Sequence, residues 1–154
     1  IRSCHNVGSL LRTAEGLGVN KVYLTGYTPY PKAKNDTRLP HISSKVNRQI
    51  HKTSLGAEDT QDWQHEKDIK KIIMGLQNNA YTVYALEQSS NSIKLPNLKA
   101  PDKVAVIVGR EVEGIEPEVL NLTDKAVEIP MFGQKESFNV VQAAAMALHK
   151  LTFD

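Results

Sequence analysis

The sequence predicts an α/β fold with a mostly parallel sheet flanked by helices. Helical and strand patterns alternate along the 154-residue chain. The run Val104–Val108 is apolar throughout, without polar alternation. Alternating elements typically pack helices on both faces of a parallel sheet, and strands buried on both faces lose their polar alternation. A chain of this length is sufficient for one domain with a substantial core.

Apolar spacing and turn residues place the elements in order. Leu10, Leu11, Ala14 and Leu17 fall on one face of a first helix, which Gly18 would end. The further predicted elements are a strand at 21–25, a proline-rich loop at 28–40, a helix at 44–53, a helix at 69–76, a strand at 81–86, a turn-rich linker at 88–102, the strand at 104–108, a short helix at 118–122, a strand at 126–129 and a final helix at 139–151.

The final predicted helix is apolar around most of its circumference. Its apolar residues are Val140, Val141, Ala143, Ala144, Ala145, Met146, Ala147 and Leu148. A helix of this kind must be covered on more than one side. In a small domain a second subunit can provide that cover, so we expect a homodimer; burial within its own domain is the alternative.

Composition bears on where the protein is located and on whether it binds a metal. No apolar run approaches the roughly 18 to 20 residues of a membrane helix, so we expect a soluble protein without a membrane partner. Cys4 is the one cysteine, and neither Cys-x-x-Cys nor His-x-x-x-His spacing occurs, so we expect no disulfide and no metal. These features fit the reducing cytoplasm. Because the chain opens on Ile1 with a motif almost at once, we also expect that residues precede it, and these could include a first strand.

The formal net charge of +2 does not by itself imply a nucleic-acid partner, but the charge is unevenly distributed. Basic side chains concentrate between residues 31 and 52, against Asp36 alone. They are Lys32, Lys34, Arg38, Lys45, Arg48 and Lys52, with His41 and His51. A solvated loop and helix face would have the same composition. Beside the motifs described next, phosphate contact is the preferred interpretation of this basic segment.

In parallel sheets, ligands bind beyond the carboxyl ends of the strands, here at Glu87, at 109–114 and at 131–137. The glycines at 109 and 114 have the spacing that opens a phosphate-binding P-loop, but Ile115 and Glu116 replace its Lys and Ser/Thr. The dinucleotide fingerprint fails as well, because Arg110 and Glu111 stand where backbone must approach a pyrophosphate. A nucleoside triphosphate or NAD is therefore not expected. A tight turn with glycines at positive φ is the structural alternative.

Two further stretches carry small and polar residues beside predicted helix starts. In the first, Asn6 could cap the helix, Gly8 could permit a close approach and Arg12 could project into solvent. In the second, Ser137 and Asn139 stand at the start of the final helix, where either could be a cap.

Together, three stretches resemble, in order, the three motifs of the SpoU (TrmH-like) family of RNA ribose methyltransferases, in the SPOUT class. They are Asn6-Val-Gly-Ser-Leu-Leu-Arg12-Thr-Ala14, Gly109-Arg-Glu-Val-Glu-Gly114, and Ile129-Pro-Met-Phe-Gly133 with Ser137-Phe-Asn-Val140. The resemblance covers residues 1–151. It implies one SpoU-type catalytic domain over 1–154, a C-terminal trefoil knot, a homodimer, S-adenosyl-methionine as cofactor, and methylation of a ribose 2′-hydroxyl in tRNA or rRNA.

The resemblance also assigns residues. Arg12 would contact the target phosphate or ribose and help the hydroxyl lose its proton. The other implied catalytic residues, some acting across a dimer interface, are Asn6, Glu111, Ser137 and Asn139. The implied cofactor-binding residues are Leu86, Gly109, Ile129, Met131 and Phe138. The implied RNA-binding residues are Lys32, Lys34, Arg38, Lys45 and Arg48.

The chain departs from the family pattern at three places. Phe138 stands where the family usually has Leu, Val141 where it has Ser, and His149-Lys150 where it commonly has Tyr-Glu. Two rival functions therefore stay open: a catalytically silent RNA-binding module of the same fold, and a SPOUT-class methyltransferase that modifies a base. A small-molecule oxidoreductase is a remote third, because the phosphate fingerprints fail.

Overall fold

A computed structural model describes residues 1–154, which divide into two compact units, Ile1–Lys67 and Asp68–Asp154. The first unit contains helix α1 (Cys4–Gly16), strand β1 (Val22–Thr25), helix α2 (Pro40–Ser54), helix α3 (Ala57–Thr60) and strand β2 (Trp63–Glu66). The second contains α4 (Ile69–Asn78), β3 (Thr82–Leu86), β4 (Ile93–Lys94), a 3-10 turn (Leu95–Asn97), β5 (Val104–Val108), α5 (Pro117–Leu120), β6 (Lys125–Glu128) and α6 (Val140–Phe153).

In the first unit, α1 packs directly on α2, and β1 pairs in parallel with β2. The core is formed by Val7, Leu11, Leu24 and Ile50. Gly8 makes the close helix contact possible, because a Cβ at this position would overlap the Ile50 carbonyl oxygen and the Thr53 hydroxyl. The expected close approach at Gly8 is therefore present, and its partner is α2.

Replacing Gly8 with Ala should destabilise the protein by about 1–3 kcal/mol, because the added methyl group forces the two helix backbones apart. Gly16, at the end of the same helix, is a matched control, since no atom lies within 4 Å of a Cβ built there. The Gly16→Ala change should be neutral or stabilising by up to about 1 kcal/mol. Urea unfolding of both variants measures the difference, and equal stabilities would contradict this account of the helix contact.

A buried carboxylate ties α2 to α3. Glu58 is only 6% exposed, and its carboxylate accepts hydrogen bonds from the Ser54 hydroxyl and from the Gly56 N–H at 2.9 Å. Its other oxygen lies 2.5 Å from His51 Nδ1, and the Glu58 carbonyl accepts a bond from the Trp63 indole. Burial alone would raise the pKa of the Glu58 carboxyl, but the hydrogen bonds from Ser54 and His51 outweigh it and hold that pKa below its usual value.

This depressed pKa makes folding stability depend on pH. The contribution of Glu58 is fully present above its unfolded-state pKa of about 4.3 and is lost as pH falls through the lower folded-state pKa. We expect Glu58→Gln to lower the free energy of unfolding at pH 7 by about 1–3 kcal/mol and to flatten its decline in acid. Urea titrations between pH 7 and pH 3 measure both effects. The exposed Glu15→Gln on α1 is the control, and an equal response of the two variants would contradict the prediction.

The second unit is built on a four-stranded parallel sheet in the order β4-β6-β3-β5. Alternate residues of β3 enter different cores: Val83 and Ala85 pack with Ile73 of α4, and Tyr84 packs with Ala147 of α6. Helices therefore flank both faces of this sheet, which confirms the predicted α/β class.

Most predicted elements are present, with boundaries shifted by a few residues, but α3, β2 and β4 were missed. All three are short, and β4 lies in the predicted turn-rich linker at 88–102. The β5 strand is present, but its residues are only half-buried, because it lies at the edge of the four-stranded sheet. In α6 only Ala144 and Ala147 are buried, and Met146 is 36% exposed.

None of the helices combines the length and the apolar character that crossing a bilayer requires. No group of three or more His, Cys, Asp or Glu side chains lies close enough to hold a metal ion.

Candidate active site

Three of the predicted cofactor-binding residues lie at one edge of the second sheet. Leu86 ends β3 and aligns with Val108 of β5 and with Val127 of β6. Gly109 follows β5 directly, and Ile129 follows β6. The carboxyl ends of these three strands therefore lie side by side, and the loops that leave β5 and β6 carry the second and third motifs.

The loop after β5 is a tight turn built by its glycines. Arg110 and Gly114 exchange backbone hydrogen bonds of 3.0 and 3.3 Å, and Gly114 has a φ of 69°. A Cβ at Gly109 would lie 2.7 Å from the Ile115 nitrogen and 2.8 Å from the Gly114 oxygen, closer than real side chains approach. The tight turn considered as the structural alternative is thus present, but only Gly114 has the expected positive φ, and Gly109 is required by close backbone contact instead. The turn places Glu111 at its exposed tip.

Glu87, which follows β3, anchors this turn. One carboxylate oxygen accepts a 2.9 Å hydrogen bond from the Ile115 N–H, and the other accepts one of 3.0 Å from Gln88 N–H. A Cβ at Gly114 would overlap the same carboxylate. The Gln88 amide donates a 2.7 Å bond to the Glu136 carbonyl. Glu87 and Gln88 therefore tie the loops of the second and third motifs to the end of β3. The sequence analysis assigned no role to either residue, although it placed Glu87 at a strand end.

The segment between β6 and α6 offers backbone groups at the same sheet edge. Residues 131–138 have no regular secondary structure and make no backbone-to-backbone hydrogen bonds. Met131 is half-buried, whereas Phe138 is 39% exposed. Phe132, which the sequence interpretation did not single out, is 99% exposed.

The polar pair of the third motif is accessible. Asn139 caps α6, because its side-chain oxygen accepts a 2.9 Å bond from the Val141 N–H. Both Ser137 and Asn139 are exposed. The cap considered for Asn139 is therefore present, and it holds the motif at the first turn of α6.

The first motif lies on α1, in the other unit. Ser3 caps this helix by accepting a 3.2 Å bond from the Asn6 N–H, so Asn6 is not the cap considered for it. Asn6 is half-buried in the first turn, and Arg12 is exposed on the helix surface. An exposed guanidinium at this position can meet an anionic ligand without rearrangement of the core.

The basic segment separates into two kinds of residue. Lys32, Lys34, Lys45 and Arg48 are exposed, as a phosphate contact requires. Arg38 instead has a side chain that is only 18% exposed and is paired with Asp36. Its guanidinium also donates to the carbonyls of residues 30 and 31, both at 3.0 Å. In this structure the Arg38 side chain stabilises the conformation of the loop before α2.

Sequence comparison finds relatives that are named as RNA methyltransferases. The profile described as the SpoU rRNA Methylase family matches residues 1–149. A tRNA (guanosine(18)-2′-O)-methyltransferase from Borreliella burgdorferi is 29% identical over 95% of this chain and 60% of its own length. A 23S rRNA (guanosine-2′-O-)-methyltransferase from Neisseria meningitidis serogroup B is 30% identical over 94% of this chain and 52% of its own. The chain thus spans about half the length of such relatives.

Solved structures share the fold. The A. aeolicus TrmH/SpoU tRNA modifying enzyme superposes with a TM-score of 0.79 at 20% identity, covering 99% of this chain and 70% of that one. The SpoU methyltransferase AviRb from Streptomyces viridochromogenes, solved in complex with AdoMet, gives 0.79 at 17% identity, covering 97% and 53%. The family match spans nearly the whole sequence, and these structures match its fold. The chain belongs to the SpoU rRNA Methylase family.

Proposed function

We propose that this protein transfers a methyl group from S-adenosyl-methionine to a ribose 2′-hydroxyl of tRNA or rRNA. The observation that carries the proposal is the meeting of Leu86, Gly109 and Ile129 at one sheet edge, where parallel sheets bind ligands. Family membership supports it, as do the two relatives named as 2′-O-methyltransferases of tRNA and rRNA.

The residues at this edge fit an adenosine-based sulfonium cofactor. Leu86, Ile129 and Met131 are half-buried apolar residues, and Phe138 is a partly exposed aromatic that can contact an adenine ring. The backbone of 131–138 offers polar groups that no other backbone group uses. Pockets for small cofactors combine apolar walls with a few such polar groups. When bound, the cofactor supplies a methyl group already activated by positively charged sulfur.

We assign charge stabilisation to Arg12. A ribose 2′-hydroxyl is a poor nucleophile until its proton is shared or removed, and negative charge then grows on its oxygen. Arginine stays protonated at every physiological pH, so it serves as a fixed positive charge and a hydrogen-bond donor. The exposed Arg12 guanidinium can bind the target phosphate or ribose and favour the charged form of the oxygen.

The remaining motif residues are assigned to orientation. Ser137 and Asn139 have exposed side chains held at the capped start of α6, and Glu111 lies at the tip of the Glu87-anchored turn. They would orient the ribose and the neighbouring motif residues, with Asn6 in the same role on α1. Holding reacting groups in line can supply roughly 7–11 kcal/mol of barrier reduction, which suits a reaction between a preactivated donor and a weak nucleophile.

The proposal extends to architecture and assembly. We infer that residues 1–154 act as one SpoU-type catalytic domain with a C-terminal trefoil knot, working as a cytoplasmic homodimer where tRNA and rRNA are found. The half-buried and exposed apolar side chains of α6, Met146 among them, support a partner subunit. Sedimentation equilibrium should give twice the chain mass of 17.1 kDa, and a monomer at micromolar concentration would contradict the dimer.

Calorimetric titration with S-adenosyl-homocysteine tests the cofactor site. We expect saturable binding in the micromolar range, with one site per subunit. A folded protein that binds RNA without binding this ligand would support the silent RNA-binding module. The departure at Val141 motivates that alternative.

A further inference from the structure

A cavity of about 510 Å³ lies in the first unit, between β2 and the loop that precedes α2. Its lining includes Tyr30, Lys32, Lys34, Trp63, Gln64 and His65. Two of these residues belong to the basic segment, and three are aromatic. None of the SpoU motifs contributes to this cavity.

Hydrogen bonds of the Arg38 side chain stabilise the loop that forms one wall of the cavity. Besides its bonds to two carbonyls, the guanidinium pairs with the Asp36 carboxylate, at 2.9 Å from Nε and 2.5 Å from Nη2. The Asp36 carboxylate also accepts bonds from the N–H groups of Ala33 and Arg38, at 3.2 and 3.0 Å. Across the loop, the Lys32 N–H donates a 2.8 Å bond to the Asn47 side chain on α2. The wall is therefore fixed before any ligand arrives, which reduces the ordering cost of binding.

Aromatic packing fixes the opposite side. The Tyr30 ring lies between the Arg38 guanidinium, 3.6 Å from the ring centre, and the stacked His65 ring at 4.0 Å. His65 Nε2 lies 2.8 Å from the Gly26 carbonyl. The Trp63 indole donates a 2.9 Å bond to the Glu58 carbonyl and stays half-buried. Both faces of Tyr30 are occupied, so the aromatic surfaces left to a ligand belong to Trp63, whose ring lies tilted at 6.4 Å from that of Tyr30, and to the face of His65 opposite Tyr30. Trp63 has the larger ring of the two.

The charges in the cavity favour an anion that carries a flat ring. Asp36 is already paired with Arg38, so the exposed ammonium groups of Lys32 and Lys34 dominate the loop side. Lysines bind phosphate as point charges, and aromatic side chains stack on bases in single-stranded nucleic acids. An acidic peptide would satisfy the lysines but would leave the indole unused.

We propose that this cavity binds one nucleotide of a single-stranded segment of the RNA substrate, with Lys32 and Lys34 on phosphate and Trp63 against the base. The identity of the RNA as substrate rests on the function proposed above. The site lies outside the methyl-transfer motifs, so its role is to recognise and hold the RNA.

Tryptophan fluorescence tests the site directly, because Trp63 is the one tryptophan of the chain. Titration with a 12-nucleotide single-stranded oligoribonucleotide should change its emission in a saturable way. The Lys32→Ala/Lys34→Ala double variant should shift the midpoint at least tenfold. The control Lys71→Ala/Lys99→Ala removes the same charge from exposed positions of the second unit and should shift it less than twofold.

Several outcomes would overturn the proposal. One is RNA binding, seen by anisotropy of a labelled oligoribonucleotide, without any change in Trp63 emission. Equal weakening by the two double variants would reduce the effect to net charge. The same emission change with polyphosphate or poly-glutamate would show that no base is recognised. Methyl transfer is assayed in parallel. A change in Trp63 emission without methyl transfer would support RNA binding in the cavity and contradict the proposed enzymatic function. Methyl transfer without a change in emission would support the enzymatic function and contradict RNA binding in the cavity.

Discussion

Replacing Arg12 with Ala is expected to slow methyl transfer by at least about a hundredfold, the usual effect of removing one donor that stabilises a developing oxyanion. The side chain is exposed on α1, away from the buried Val7 and Leu11, so folding should be unaffected. Affinity for S-adenosyl-homocysteine should change little, because Arg12 is assigned to the RNA phosphate or ribose and not to the cofactor.

Single-turnover rates and calorimetry on the same preparations measure the two quantities. Arg12→Lys should recover part of the rate, since it restores the charge without the planar fork of donors. Arg48→Ala provides a contrast: as a proposed phosphate contact, it should raise the KM for RNA and leave kcat almost unchanged. Equal losses of turnover and of cofactor affinity in Arg12→Ala would contradict the assigned role.

Replacing Gly109 with Ala is expected to weaken cofactor binding by about tenfold or more. The added methyl group would meet the backbone of Gly114 and Ile115, which cannot rotate away as a flexible side chain can. Forcing a group into such a contact costs about 1–3 kcal/mol. The turn must shift to relieve it, and that shift disturbs the sheet edge beside Leu86, whose strand pairs with β5.

Calorimetry with S-adenosyl-homocysteine measures this loss, and circular dichroism checks that the variant is folded. Gly75→Ala is the matched control: Gly75 lies on α4, nothing lies within 4 Å of a Cβ built there, and no binding role is assigned to it. A folded Gly109→Ala variant with the affinity of the unchanged protein would show that the turn does not shape the cofactor site.

The sequence predicted the parallel sheet because two of its strands, β3 and β5, carry a strong local signal. Val104–Val108 is apolar without interruption, and the strand ending at Leu86 is rich in β-branched and aromatic residues. The missed strands lack that signal: β2 reads Trp-Gln-His-Glu, and β4 has two residues. Their pairing depends on partners distant in the chain, which local periodicity does not contain.

The position of a residue at the end of a strand predicted its place in the candidate site better than its charge or polarity did. The strand-end rule identified Gly109 and the loop after β6, and both lie at the shared sheet edge. The rule also identified Glu87, but the sequence around a single carboxylate does not indicate that it will accept a hydrogen bond from the Ile115 N–H. Arg38 shows the opposite case: grouped by charge with the RNA-binding lysines, it is committed to Asp36 two residues away. Such pairings are set by loop conformation.

The most direct test of the proposed function is the position of the transferred methyl group. Total RNA from a strain lacking the gene would be incubated with the protein and methyl-labelled S-adenosyl-methionine, then hydrolysed completely in alkali. Only a blocked 2′-hydroxyl prevents cleavage of the adjoining linkage, so we predict that the label appears in an alkali-resistant dinucleotide. Label confined to mononucleotides would show that a base is the acceptor and would contradict the ribose methyltransferase.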